Sequence, residues 1–150
     1  VQGADDVGRD LDAAQVSAAL VLDRAWVTSM QTRWRELMDL AVWGEVTMTR
    51  LGAAPRLRKR LLELGERLKS LSAARTWIPH PREQLKSALA AAMGVRETLA
   101  AVSGMLSELV PGTDAARLQA EFHALAVLAE QELPALENSW AQLLDGQVDS

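Results

Sequence analysis

Stepped by alternate fours and threes from Val16, the chain presents Val16, Leu20, Asp23, Val27, Met30, Trp34, Leu37, Ala41, Gly44, Met48 and Leu51, nine of them apolar. An apolar seam kept in heptad register for that distance predicts one long helix over 12–51, with a single face buried against partner helices. Asp12 with Gln15 has the outline of a capping box at its start, and Gly52 followed by Pro55 marks its end and the next beginning. A helix of that length runs roughly 60 Å, so its partners lie alongside it.

The pattern repeats three times. Leu57, Leu61, Leu64, Leu68 and Leu71 predict a second helix over 55–74. Leu85, Ala88, Ala92, Val95, Leu99, Val102, Leu106 and Leu109 predict a third over 81–110, stopped by Pro111-Gly112. Leu118, Phe122, Leu125 and Ala129, then Leu133, Leu136, Trp140 and Leu143, predict a fourth over 114–145, with Pro134 at the slip between the two halves of the seam. Pro79 and Pro81 bias the residues before them away from helix, which makes the stretch around Trp77 and His80 the one structured linker. Residues 1–11 read as a flexible lead-in and 146–150 as a polar tail. The expected fold is all-α: one domain over 1–150, an antiparallel up-down-up-down four-helix bundle with a long first helix and both termini at one end.

Composition narrows the function classes. Cysteine is absent, which excludes disulfides, thiolate metal sites and a cysteine nucleophile. A net charge of −4 argues against nucleic acid as a partner. The longest uncharged runs, Ala13 to Leu22 and Thr98 to Ser107, are ten residues each, about half of a bilayer span, so no membrane-spanning segment is expected. The chain begins at Val1 and reads as a processed or excised piece. Its localisation is not legible, with an extracytoplasmic site favoured over the cytoplasm.

Catalytic chemistry has little to work with. His80 and His123 are the two histidines, no HExxH or ExxH motif surrounds them, and no Walker loop, dinucleotide fingerprint or nucleophile elbow occurs. No metal, haem or other cofactor is expected, and the chain reads as a non-enzyme.

Three groups of residues remain as candidate sites. Counting heights along the helices brings Asp23 and Trp26 level with Trp77, His80 and Trp140, at the end that holds the termini. A carboxylate at a seam position must be paired, solvated or bound, so Asp23 either finds a structural partner or joins those aromatics in a ligand pocket. Arg56, Arg58 and Lys59 crowd the start of the second helix, where cations oppose the helix dipole; they are either a tolerated surface cluster or a site for a small anionic ligand. Val42, Trp43 and Val46 lie off the seam of the first helix, and either pack against a neighbouring helix or form a homodimer face. Trp34 is expected in the core, level with Ala90, Ala91, Ala92 and Ala129.

The layout, with its longest helices first and last and their ends on one side, resembles the extracytoplasmic four-helix-bundle sensing domains of bacterial chemoreceptors and sensor kinases. The resemblance extends over the whole chain but is one of layout, and the arginine-rich first-helix signature of nitrate-type sensors is missing. It implies signal transduction by small helix displacements on binding a ligand or partner. The alternative is a secreted or cytoplasmic protein-protein interaction module without a small-molecule site.

Overall fold

The computed structural model describes residues 12–73 and 80–149. The described residues are all-helical, 83% helix without a strand. They form five helices: α1 Ala13–Ala19, α2 Arg24–Trp43, α3 Ala53–Ser72, α4 Pro81–Leu106 and α5 Thr113–Asp149. Residues 1–11, Trp77 and the rest of the 74–79 linker lie outside the described residues.

The long first helix of the sequence reading is two helices. The capping box is present, with Asp12 accepting from the Ala14 amide and Gln15 reaching back, but it opens a helix of only seven residues. The backbone leaves helical geometry after Leu20. Asp23 then caps α2, its Oδ1 accepting from the Ala25 amide at 2.9 Å. An aspartate inside a buried seam would leave a carboxylate without water; placed before a helix, it satisfies an orphan N–H and stays exposed. The chain breaks where that exchange is favourable.

α2 also ends earlier than the seam implies, at Trp43 with Gly44 as its C-cap. Residues 45–48 then cross the connection between α4 and α5, followed by bends at 49 and 50. The Glu45 amide donates to Asp114 Oδ2 at 2.6 Å, the Val110 amide to the Thr47 carbonyl at 2.8 Å and the Thr49 amide to the Glu108 carbonyl at 2.8 Å. Met48 and Leu109 face one another in an isolated antiparallel bridge, and Arg50 Nε closes the row on Glu108 Oε1 at 3.0 Å. Gly52, at φ 78°, turns the chain into α3 through left-handed geometry open to glycine.

The other three seams are buried over most of their length, although α4 stops at Leu106 rather than 110, leaving Leu109 outside it, and α5 runs on to Asp149 through the expected tail. Leu57, Leu61, Leu64, Leu68 and Leu71 are all buried, as are Leu85, Val95, Val102, Leu118, Leu125 and Leu133. α3 packs between α2 and α4, α5 packs between α2 and α4, and α1 lies against α4. α5 continues through Pro134. Proline supplies no N–H to the Glu130 carbonyl, and Arg96 of α4 spans this point, with Nη1 at 3.0 Å from Glu137 Oε2 and Nε at 3.5 Å from Glu130 Oε1. The hydrogen bond and charge of Glu137, then the charge of Glu130, push the Arg96 guanidinium further up from its ordinary pKa.

Trp34 is not in the core. It is half-buried between α2 and α3, its Nε1 donating to the Leu61 carbonyl at 2.6 Å, with its ring over Gly65, where a Cβ would overlap the indole. The alanine wall of α4 is buried at Ala91 and Ala92, while Ala90 is exposed. By length and composition α4 could cross a membrane, although it carries Arg96 and Glu97 mid-helix and close to half of its most apolar stretch is buried against the other helices.

Candidate interaction surface

The end of the molecule where α2 stops and α3 begins combines a held backbone with uncovered apolar side chains. Trp43 is 83% exposed, Leu51 98%, Val42 45% and Val110 39%. The bonds from 45–50 to 108–114 order them along this end: Trp43 lies toward Asp114, Leu51 just past the Arg50–Glu108 pair, and Val110 between them at Thr47. Leaving an indole and a leucine in water forgoes the burial that places such residues inside, and several of them spread along one ordered segment make it a candidate contact surface. Val46, by contrast, turns inward and packs against the core.

Charge is also arranged at this end. Arg56, Arg58 and Lys59 follow the start of α3, and Asp39 and Glu45 flank the end of α2. None of these five side chains makes an ion pair among the described residues, whereas Arg50, Arg60 and Arg117 do. As an anion site the start of α3 is poorly equipped. The Ala53 amide already donates to the Arg50 carbonyl, and Pro55, at the third helical position, has no N–H.

The predicted aromatic pocket does not assemble from the described residues. Trp26 is buried and its Nε1 donates to the Leu128 carbonyl at 2.6 Å; Trp140 is fully buried and donates to the Ala19 carbonyl at 2.9 Å. Those positions on α5 are twelve residues apart, or about 18 Å of helix. With both indole N–H groups bonded to backbone, neither ring offers a donor to a ligand. Asp23 is a cap, His80 is exposed in the N-cap position of α4 without a side-chain capping bond, and Trp77 lies outside the described residues.

Several grooves open on the flanks, two of them beside the helices that meet this end. One of about 510 Å³ runs between α2 and α5 past Thr28, Ser29, Thr32 and Val127; the other, about 240 Å³, lies beside Trp34 and Leu62. Among the described residues no group of three or more His, Cys, Asp or Glu is placed to hold a metal ion. Leu51 was invisible as a surface residue because it sits on the heptad register of the first seam. The signal that could have found it is Gly44 followed by the β-branched Val46, Thr47 and Thr49, which favours an extended exit from the helix. No family model matches the chain, and no match to a curated protein or to a solved structure is found.

Proposed function

We propose that the chain is a non-enzymatic helical interaction module that engages a partner protein through its Trp43–Leu51 end. The observation that carries this reading is the exposure of Trp43 and Leu51 on a backbone pinned by the bonds to Glu108, Val110 and Asp114. A rigid aromatic presented at little entropic cost is the residue type that anchors protein interfaces. The supporting scaffold is an antiparallel up-down-up-down four-helix bundle of α2 to α5 preceded by the short α1. That arrangement is supported by the ring of neighbours, α2 to α3 to α4 to α5 and back to α2. Photo-crosslinking residues placed at Trp43 and Leu51, and as controls at the exposed Leu62 and Met93, test the reading in cells of the source organism. Crosslinks to one defined protein species from the first pair alone support it; equal yields from both pairs, or none from Trp43 and Leu51, sink it.

A sensing domain is the second reading, favoured by the contact between Trp140 near one end of the chain and Ala19 near the other. In such a domain the first and last helices lead side by side toward a membrane. Apolar runs of about 20 residues on both sides of this segment in its gene would favour it, and their absence would remove it.

A further inference from the structure

We infer that the partner seated on this end is a second copy of the same chain, related by a two-fold axis. The inference rests on the reading of the Trp43–Leu51 end as a contact surface, and two independent observations carry it.

The first is area. Trp43, Leu51, Val42 and Val110, spread along this end, together expose on the order of 400 to 500 Å² of side chain, an amount comparable with the larger apolar patches of monomers. Covered by its own counterpart and a polar rim, such a patch reaches the roughly 1,000 Å² total at which specific interfaces begin.

The second is charge placement. A two-fold interface brings a patch against itself, so the patch must carry both halves of every complementary pair. This one does. Asp39 and Glu45 lie on the Trp43 side, where the carbonyl end of α2 already makes the surface negative; Arg56, Arg58 and Lys59 lie on the Leu51 side, where the amide end of α3 makes it positive. Glu45 and Arg56 have the wrong sign for the helix ends they adjoin, Asp39, Arg58 and Lys59 extend the same sign from the next turn, and none of the five is paired within the chain among the described residues. A two-fold axis near Val110 sets Trp43 of one copy over Leu51 of the other and the acidic side over the basic side, so both mismatches are relieved at once.

The test uses the whole chain in analytical ultracentrifugation over a wide concentration range, with dichroism confirming that each variant is folded. Wild type is expected to double in mass as concentration rises, and Trp43→Ser to weaken self-association about tenfold or more. Two charge-reversal variants are decisive: Asp39→Lys with Glu45→Lys, and Arg56→Glu with Lys59→Glu. Each alone confronts like charges across the axis and stays monomeric, while an equimolar mixture of the two forms a one-to-one dimer. A wild type that remains monomeric at the highest concentrations overturns the inference, as does a dimer indifferent to Trp43→Ser or a mixture that fails to associate. Wild-type monomer that pellets with anionic vesicles, when Trp43→Ser does not, overturns it in favour of a lipid surface. Crosslinks from Trp43 to a different protein, with the chain itself monomeric, overturn the second copy and leave the interaction reading standing.

Discussion

Trp140, fully buried near the far end of α5, donates its indole N–H to the carbonyl of Ala19 at 2.9 Å and so caps the end of α1. The last carbonyls of a helix lack intrahelical partners, and a seven-residue helix is marginal without tertiary support. One side chain therefore fills the core and fastens α1 to α5. Trp26 and Trp34 repeat the device, each donating to a carbonyl of a neighbouring helix.

Trp140→Ala should be the most damaging tryptophan truncation, costing about 3 to 5 kcal/mol for the cavity alone. Trp140→Phe keeps most of the volume and leaves the Ala19 carbonyl without its donor, for about 1 to 3 kcal/mol. Trp43→Ala, in water already, should cost less than about 1 kcal/mol. Urea midpoints of the three variants give the order, and a Trp43 loss equal to that of Trp140 would contradict the placement of both.

Gly65→Ala should destabilise, although the same change in a helix ordinarily stabilises by about 1 kcal/mol. The added methyl would meet the Trp34 indole between α2 and α3, and relieving such overpacking costs about 1 to 3 kcal/mol. Gly104, in α4 with nothing near its would-be Cβ, is the control and should gain stability when changed to alanine. Trp34→Leu should remove most of the Gly65→Ala penalty in a double-mutant cycle; additivity would mean the two residues do not touch.

Asp23→Leu separates the two accounts of the N-terminal region. Were residues 12–51 one helix with Asp23 on its buried seam, leucine would stabilise by removing a desolvated carboxylate. With Asp23 capping α2, leucine leaves the Ala25 amide without its acceptor and should cost about 1 kcal/mol, whereas Asp23→Ser should cost little. Thermal melts of the two variants decide it.

The seams of α3, α4 and α5 were legible because burial alone sets them: leucines every three or four residues need only a neighbour of the same kind. What was not legible depended on one local exchange overriding the period. Asp23 gave up a seam position to cap a helix, and the helix broke there. Trp34 stayed on register but left the core, because the missing side chain of Gly65 opened a slot at the flank and the Leu61 carbonyl accepted its N–H. Trp43 could be placed at the surface from its position off the seam. Leu51 could not, since its register was right and only the exit of the chain at Gly44 put it outside.

The charges around Trp43 and Leu51 carry a prediction about the isolated chain that holds whatever its partner. α2 has no basic residue in its last turn and α3 no acidic residue in its first, where each would complement the dipole. Arg56→Glu corrects the sign in the first turn of α3 and should raise stability by a few tenths to about 1 kcal/mol at low ionic strength, and Asp39→Lys, one residue before the last turn of α2, should raise it by less, with both gains fading as salt is added. Thermal melts at low and high salt, at protein concentrations dilute enough to exclude self-association, give the measurement. If the contact residues were chosen for folding, these variants would lose stability; if chosen for a partner, they gain stability while losing the contact. A loss of stability in both variants at low salt would show that Asp39 and Arg56 serve the fold, and would remove their misplacement as an argument for an interface.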